Sequence, residues 1–138
     1  MDKKQLEALV RQVLAEKLGE NPVKFFRPEV QITEADRLET GNPADRVYTH
    51  DLFTLQESPR LGLGLMTMEK TTFPWKLNYD EIDYVLDGSL TIRTEQGEVT
   101  ACAGEGILIP RGTAIEFSAP EYARFLYITY PADWQAQG

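Results

Sequence analysis

The chain has 138 residues, of which 42% are hydrophobic, so it can fill one modest core and is expected to form a single compact unit. Acidic residues outnumber basic ones 22 to 14 and the formal net charge is −8, which argues against nucleic acid and against anionic membrane surfaces as partners. The single cysteine excludes an intramolecular disulfide, and no early apolar run is typical of a signal peptide, so we expect a cytoplasmic protein.

The first twenty residues have the pattern of an amphipathic helix. Apolar residues recur every three or four positions and are followed by Gly19, where a helix commonly ends; they are Leu6, Leu9, Val10, Val13, Leu14 and Leu18. We expect residues 1–20 to form this helix, residues 21–29 to be a linker, and residues 30–138 to form the main domain. Two interpretations of the helix stay open. It buries its apolar stripe on the domain or across a dimer interface, or it docks a partner protein.

From about residue 30 the pattern changes to short runs rich in β-branched and aromatic residues, separated by turn residues. The predicted strands are 47–53, 61–69, 81–86, 90–94, 98–102, 107–109, 115–118 and 123–130. Tight turns are predicted at 87–89, 95–97, 110–112 and 119–121. This many short strands are expected to close into a barrel or jelly roll, which makes the fold all-β after the helix.

Two spacings in the second half of the chain define a known frame. A Glu is followed by six residues and a Gly at Glu81 and Gly88, and Gly-x5-Pro-x-Gly occurs at Gly104, Pro110 and Gly112. This frame resembles the two motifs of the cupin superfamily, which implies a cupin barrel of the RmlC-like jelly-roll type. The positions of the motif histidines hold other residues: Trp75 and Leu77, or Pro74 and Lys76 with one more residue in the gap, and Ile115.

These replacements bear on metal binding. The chain contains one histidine, His50, which excludes a site built from two or three imidazoles of one chain. Indole and aliphatic side chains cannot ligate a metal, and a lone carboxylate holds a divalent ion only weakly. We therefore expect no tightly bound transition metal.

A closer resemblance lies in the segments 73–83, 85–88, 109–112, 115–117, 124–127 and 131–135. They resemble the C-terminal cupin domain of the EutQ family of ethanolamine-utilisation proteins. The resemblance implies a dimeric cytoplasmic cupin associated with bacterial microcompartments. It also implies an acetate kinase activity, which interconverts ATP plus acetate with ADP plus acetyl phosphate.

The candidate acidic centre follows from strand alternation. Tyr79, Glu81 and Asp83 are expected on one face, with the two carboxylates about 7 Å apart. If this face is the barrel interior, the carboxylates are costly unless they are solvated, paired or neutralised by a cation. We interpret Glu81 and Asp83, with Tyr79 at the rim, as catalytic residues and as a weak Mg²⁺ site for Mg-ATP. In the alternative, they are salt-bridged or face solvent and serve the architecture.

Phosphoryl transfer also needs positive charge, and the chain contains no phosphate-binding loop motif. Lys76 is predicted as a catalytic cation because it neighbours the replaced ligand positions, and Arg111 is a second candidate that would bind the cofactor together with Trp75. Trp75, Leu77, Ile115 and Phe117 have two interpretations: they fill the vacated metal site as core, or they form an aromatic wall for a planar ligand.

Three functional hypotheses follow. The first is the EutQ-like acetate kinase. The second is a non-catalytic assembly factor, a homodimer whose residues 1–20 recruit microcompartment shell or cargo proteins. The third is a metal-free cupin that senses a small molecule.

Overall fold

The fold is assembled from one α-helix and six β-strands in the part of the chain that the computed structural model describes, residues 2–18 and 21–137, with only the backbone described at 15–18. The predicted helix end, Gly19, lies outside these residues. The elements are α1 (Lys3–Leu18), β1 (Arg46–Asp51), β2 (Gly62–Lys76), β3 (Asp80–Thr94), β4 (Gly97–Cys102), β5 (Gly106–Ile109) and β6 (Ala114–Tyr130). Short 3-10 helices span Glu34–Asp36 and Trp134–Gln137. No helix among the described residues is long and apolar enough to cross a membrane.

The strands form a six-stranded sheet in the order β1-β2-β6-β3-β4, and β5 pairs with β3 on the edge opposite β6, next to β4 along that edge. Every pairing between these strands is antiparallel. The core lies on the inner face, where apolar side chains alternate with exposed ones along β3 and β6. Among its fully buried members are Phe73, Val85, Leu90 and Phe125. The prediction of an all-β fold preceded by a helix is confirmed.

Several predicted strands are joined into longer ones. The predicted turns at 87–89 and 119–121 are not chain reversals, because β3 and β6 continue through them. The β3–β6 register shifts between Val85 and Asp87 and again between Gly88 and Thr91, and such bulges bend a strand without ending it. Likewise β2 extends beyond the predicted residue 69 to Lys76, across a register shift between Glu69 and Thr71.

Helix α1 contacts the domain through polar side chains. Lys4 Nζ lies 2.8 Å from Asp36 Oδ1, and Arg11 Nη1 donates to the Leu52 carbonyl at 3.2 Å. Lys4 and Arg11 are seven residues apart and therefore share one helix face. The apolar stripe lies on the opposite face and is 40–53% exposed at its described positions, Leu6, Leu9, Val10, Val13 and Leu14. The interpretation that the helix buries this stripe on its own domain is therefore wrong.

Asp36 is the anchor of this helix contact. It is 4% exposed and accepts a hydrogen bond from the Thr33 backbone N–H at 3.0 Å as well as contacting Lys4. His50 Nδ1 lies 2.9 Å from the same carboxylate. Burial by itself would raise the pKa of Asp36, but the hydrogen bonds from Lys4, Thr33 and His50 outweigh it and lower the pKa to about 2. The carboxylate stays ionised at neutral pH and holds α1 in place.

The segment after the helix lies along the sheet. Phe26 contacts Phe53 edge to face, with 5.9 Å between ring centroids, and Arg124 of β6 donates to the Pro28 carbonyl. The division of the chain at residues 20 and 29 stays a prediction, but residues 26 and 28 already contact the domain.

Candidate functional site

Glu81 and Asp83 lie on the inner face of β3, where every second residue is buried. Glu81 is 5% exposed and Asp83 is 0% exposed, while Ile82 between them is 46% exposed. The prediction that the two carboxylates share the interior face is confirmed. Among the described residues, no cationic side chain forms an ion pair with either of them. The interpretation as salt-bridged or solvent-facing groups is therefore wrong.

Three of the four carboxylate oxygens of the two acids have no hydrogen-bond partner among the described residues. Glu81 Oε2 and both carboxylate oxygens of Asp83 are buried without a partner, as is the hydroxyl of Thr129. Thr129 is directly opposite Glu81 on β6. Buried polar groups without partners are rare because each forfeits its hydration, and in native proteins they mark functional positions or ligand contacts.

Burial raises the pKa of both acids. Burial is the largest cause at both positions, and at Asp83 the negative charge of Glu81 raises the pKa further. The pair therefore holds a proton in a pH range where exposed carboxyls have lost it.

Aromatic rings cover the acid pair. Trp75 Nε1 donates to the Tyr79 hydroxyl at 2.8 Å, and Trp134 contacts Trp75, Tyr79 and Tyr127 with centroid distances of 6.3, 6.0 and 5.8 Å. The predicted position of Tyr79 at the rim is wrong, because the residue is only 3% exposed. Burial, followed by the negative charge of Glu81, raises the pKa of Tyr79, so its hydroxyl stays protonated.

Two adjoining spaces lie on either side of this aromatic cover. A cavity of about 20 Å³ is lined by Glu81 and the rings, and an open cleft of about 800 Å³ lies outside them. The two share the lining residues Leu38, Thr49, Trp75, Tyr79 and Trp134. The aromatic cover thus separates the cleft from the cavity that Glu81 lines.

The four residues at and near the positions of the missing motif histidines differ in their burial and in the spaces that they line. Leu77 and Ile115 are buried in the core, at 0% and 4% exposure. Phe117 is also buried, but it lines the small cavity, and half-buried Trp75 lines both the cavity and the cleft. The core interpretation therefore holds for Leu77, Ile115 and Phe117, and an aromatic wall for a planar ligand stays a prediction, with Trp75 the residue placed to form it.

The two predicted cations are placed differently. Lys76, at the end of β2, is exposed and lines the cleft. Arg111 lies in the turn after β5, is exposed, and lines neither the cleft nor the cavity; its backbone N–H donates to Asp80 Oδ1 at 2.8 Å. Its position gives the predicted role of Arg111 in cofactor binding no support.

Sequence reasoning missed the tyrosine and aspartate that border the site. The Tyr127 hydroxyl donates to Asp51 Oδ1 at 2.7 Å, and Asp51 lines the cleft. The ring of Tyr127 lies over Gly64, where an added Cβ would be 2.0 Å from Cζ. Gly62 and Gly64 alternate within β2, and glycines inside a strand commonly mark a close approach of another group. That alternation was the signal available in the sequence.

Comparison with known proteins identifies the family. The family model for ethanolamine utilisation protein EutQ matches residues 1–136. The chain belongs to the EutQ family. A curated EutQ relative from Clostridioides difficile, named "Acetate kinase EutQ", is 54% identical over an alignment of 151 positions that covers 99% of this chain and 96% of the relative.

Solved structures agree with this assignment. The EutQ protein structure from Clostridium difficile has a TM-score of 0.82 and 58% sequence identity, and the match covers 85% of this chain and 86% of that chain. A cupin superfamily protein from Desulfitobacterium hafniense has a TM-score of 0.55 at 15% identity, covering 62% of this chain and 78% of that chain. At that identity the likeness shows the fold alone, and the fold of this EutQ chain is the predicted cupin jelly roll.

Proposed function

We propose that this EutQ chain is an acetate kinase associated with bacterial microcompartments in the cytoplasm. The name of the 54% identical relative supports the activity, and the observation on this molecule that carries the proposal is the cleft of about 800 Å³ lined by Trp75, Lys76 and Trp134. Its volume is in the range of small-molecule and cofactor sites. In the reaction, an acetate oxygen bonds to the γ-phosphorus of ATP as the bond to the bridging oxygen of ADP breaks.

The residues that line the cleft suggest how Mg-ATP would be held. The rings of Trp75 and Trp134 offer surfaces for stacking the adenine base, and Lys76 supplies positive charge for the phosphates. Lys4 and Arg37 also line the cleft, but each already contacts a carboxylate, at Asp36 and Glu34. Lys76 is therefore the cation we assign to the nucleotide.

The fit of a magnesium ion to the acid pair is mixed. The oxygens of Glu81 and Asp83 are ligands of the kind that Mg²⁺ prefers, and three of them lack partners. The cavity beside Glu81, however, has room for about one water-sized group, whereas Mg²⁺ usually keeps several of its waters. The weak Mg²⁺ site stays a prediction. We place the nucleotide in the outer cleft, where its Mg²⁺ would neutralise phosphate charge, with Tyr79 between the cleft and the acid pair.

The activity proposal is tested by acetyl phosphate formation from acetate and Mg-ATP, trapped as the hydroxamate. We expect Lys76→Met to lower kcat about 100-fold, the loss typical for removing one group that stabilises transition-state charge, and Glu81→Gln, which removes the carboxyl predicted to be catalytic, to lower kcat as well. Glu116→Gln is the matched control, because this carboxylate lies on the same sheet but faces outward. Wild-type rates in both site variants, or no product from the folded wild-type protein, would refute the proposal.

A second candidate function is assembly, and the orientation of α1 favours it. The helix is held through Lys4 and Arg11, so its apolar stripe of Leu6, Val10 and Val13 faces outward. An unburied stripe of this kind suits a helix-in-groove contact. We propose that residues 1–20 recruit microcompartment shell or cargo proteins by this stripe.

We propose that the protein forms a homodimer through a different surface, the outer face of the sheet. On the outer face of the sheet, Ile82 lies opposite Leu108 of β5 and opposite Ile128 of β6. Ile82 and Leu108 are 46% and 66% exposed, and Tyr84 beside them is 43% exposed. Adjoining exposed apolar side chains are typical of protein interfaces.

One crossed experiment tests both surfaces. We expect the stripe variant Leu6→Ser/Val10→Ser/Val13→Ser to lose co-localisation with shell proteins but to remain a dimer in sedimentation. We expect Leu108→Asp to sediment as a monomer, because its dimer dissociation constant should be at least tenfold higher than that of the wild type. Its co-localisation with shell proteins should be unchanged. Each variant is the control for the other. Normal localisation of the stripe variant would reject recruitment by α1, and a dimeric Leu108→Asp would reject the sheet-face dimer.

A further inference from the structure

The small cavity beside Glu81 has walls of an unusual kind. Five aromatic side chains line it: Trp75, Tyr79, Phe117, Tyr127 and Trp134. Aromatic faces carry negative electrostatic potential and attract cations, most strongly where water is excluded. Cages of such rings are the common protein device for binding organic ammonium groups.

The floor of this cavity is acidic, and its carboxyl groups have no counter-ion within the described part of the chain. Glu81 lines it, is 5% exposed, and keeps Oε2 without a hydrogen-bond donor. Asp83 is directly behind it on the same face of β3, with both oxygens unpartnered. Burying an uncompensated carboxylate is costly, and a bound cation with N–H donors would remove that cost.

We propose that this cavity binds a small organic ammonium ion, with its –NH₃⁺ group against Glu81 and enclosed by the aromatic rings. A primary ammonium group is about the size of one water molecule, which is what a cavity of about 20 Å³ admits. It supplies three N–H donors to a site rich in unpartnered acceptors. The substituent on nitrogen would extend past Trp75 and Trp134 into the outer cleft, with which the cavity shares these walls.

Other ligand classes fit less well. An anion would face the uncompensated carboxylates, and a hydrated Mg²⁺ ion needs more room than the cavity offers. A neutral molecule of the same size would leave the negative charge uncompensated. The site therefore selects for charge and for a small group at the nitrogen. It gives the metal-free sensing hypothesis a specific ligand class, and it does not depend on phosphoryl transfer.

The test is a titration of the full chain with methylammonium chloride, without nucleotide, acetate or Mg²⁺. Both tryptophans of the chain, Trp75 and Trp134, line the cavity, so intrinsic fluorescence reports on it directly. We expect a saturable change that sodium chloride at equal ionic strength and methanol do not produce. Tetramethylammonium, which is too bulky at nitrogen for the cavity, is expected to bind at least about tenfold more weakly.

Two variants locate the site. Glu81→Gln keeps the shape of the side chain and is expected to weaken methylammonium binding about tenfold or more, whereas Glu116→Gln on the outer face leaves it unchanged. Phe117→Leu is expected to weaken binding several-fold while both fluorescent residues remain. The proposal is overturned if methylammonium gives no saturable change with folded protein, if methanol matches it, or if Glu81→Gln binds as tightly as the wild type.

Discussion

Asp83→Asn is expected to raise the free energy of unfolding at pH 8 by about 2 kcal/mol, because it removes a buried carboxyl that must take up a proton on folding. Asp83 is fully buried without a donor to either oxygen, and burial raises its pKa well above the ordinary value. The native state therefore keeps a proton that the unfolded chain releases. The replacement amide is neutral and donates hydrogen bonds to Glu81, so it removes the cost at its source.

The raised pKa of Asp83 also determines how the stability of the protein changes with pH. Because the native state binds the extra proton, wild-type stability falls as pH rises from the ordinary range of a carboxyl toward the raised pKa, by about 1.4 kcal/mol per pH unit for one proton. We expect Asp83→Asn to flatten this fall, although Glu81, whose pKa is also raised, keeps part of it. Urea unfolding at pH 5, 6.5 and 8 measures the effect.

Asp36 provides a control of opposite sign. Hydrogen bonds lower its pKa to about 2 despite burial, so its contribution to stability is present above the ordinary aspartate pKa and is lost as pH falls toward 2. Asp36→Asn should therefore destabilise the protein at neutral pH, where Asp83→Asn stabilises it. A less stable Asp83→Asn variant at pH 8, or an unchanged slope, would show that the buried pair is compensated.

The shared face of Glu81 and Asp83 could be predicted because it depends on a local rule. Strand alternation places the two acids on one face once β3 exists, and the spacing of Gly104, Pro110 and Gly112 marks the turns around β5. Alternation does not say which face of the strand is covered, so the sequence left the burial of the acids conditional.

The orientation of α1 could not be predicted in the same way. Periodicity identifies the apolar stripe, but it does not say whether that stripe is covered. The answer depends on Lys4 and Asp36, and on Arg11 and Leu52, pairs that are far apart in the sequence. A polar contact to a buried carboxylate outweighed the usual preference for burying the apolar face.

The border of the site was missed for the same reason. Tyr127 and Asp51 are separated by 76 positions, and neither belongs to a motif that would pair them. The strand breaks predicted near residues 88 and 120 were also wrong, because turn-forming residues can bend a continuous strand at a bulge. Only the pairing of β3 with β6 determines whether such residues end a strand or bend it.

Gly88→Ala is expected to lower the free energy of unfolding by about 3 kcal/mol or more, because Gly88 lies at the bulge between β3 and β6. Gly88 has φ 75°, and a Cβ there would lie 2.1 Å from the Tyr122 carbonyl oxygen on β6. The left-handed backbone alone costs an alanine about 1 to 2 kcal/mol. The rest arises because the obstacle is backbone, which cannot rotate away as a side chain does.

Gly104→Ala separates these two costs. Gly104 has a similar φ of 86°, but a Cβ added there would meet no atom within 4 Å, so only the backbone cost of about 1 kcal/mol is expected. Equal urea midpoints for the two variants would show that β3 and β6 separate easily at the bulge. If Gly88→Ala is the more damaging, strand spacing at Gly88 sets the register through which β3 presents Asp83 to Tyr127 and Glu81 to Thr129. A change in tryptophan fluorescence of the folded Gly88→Ala variant, absent from Gly104→Ala, would then show that the bulge positions the aromatic cover over the acid pair.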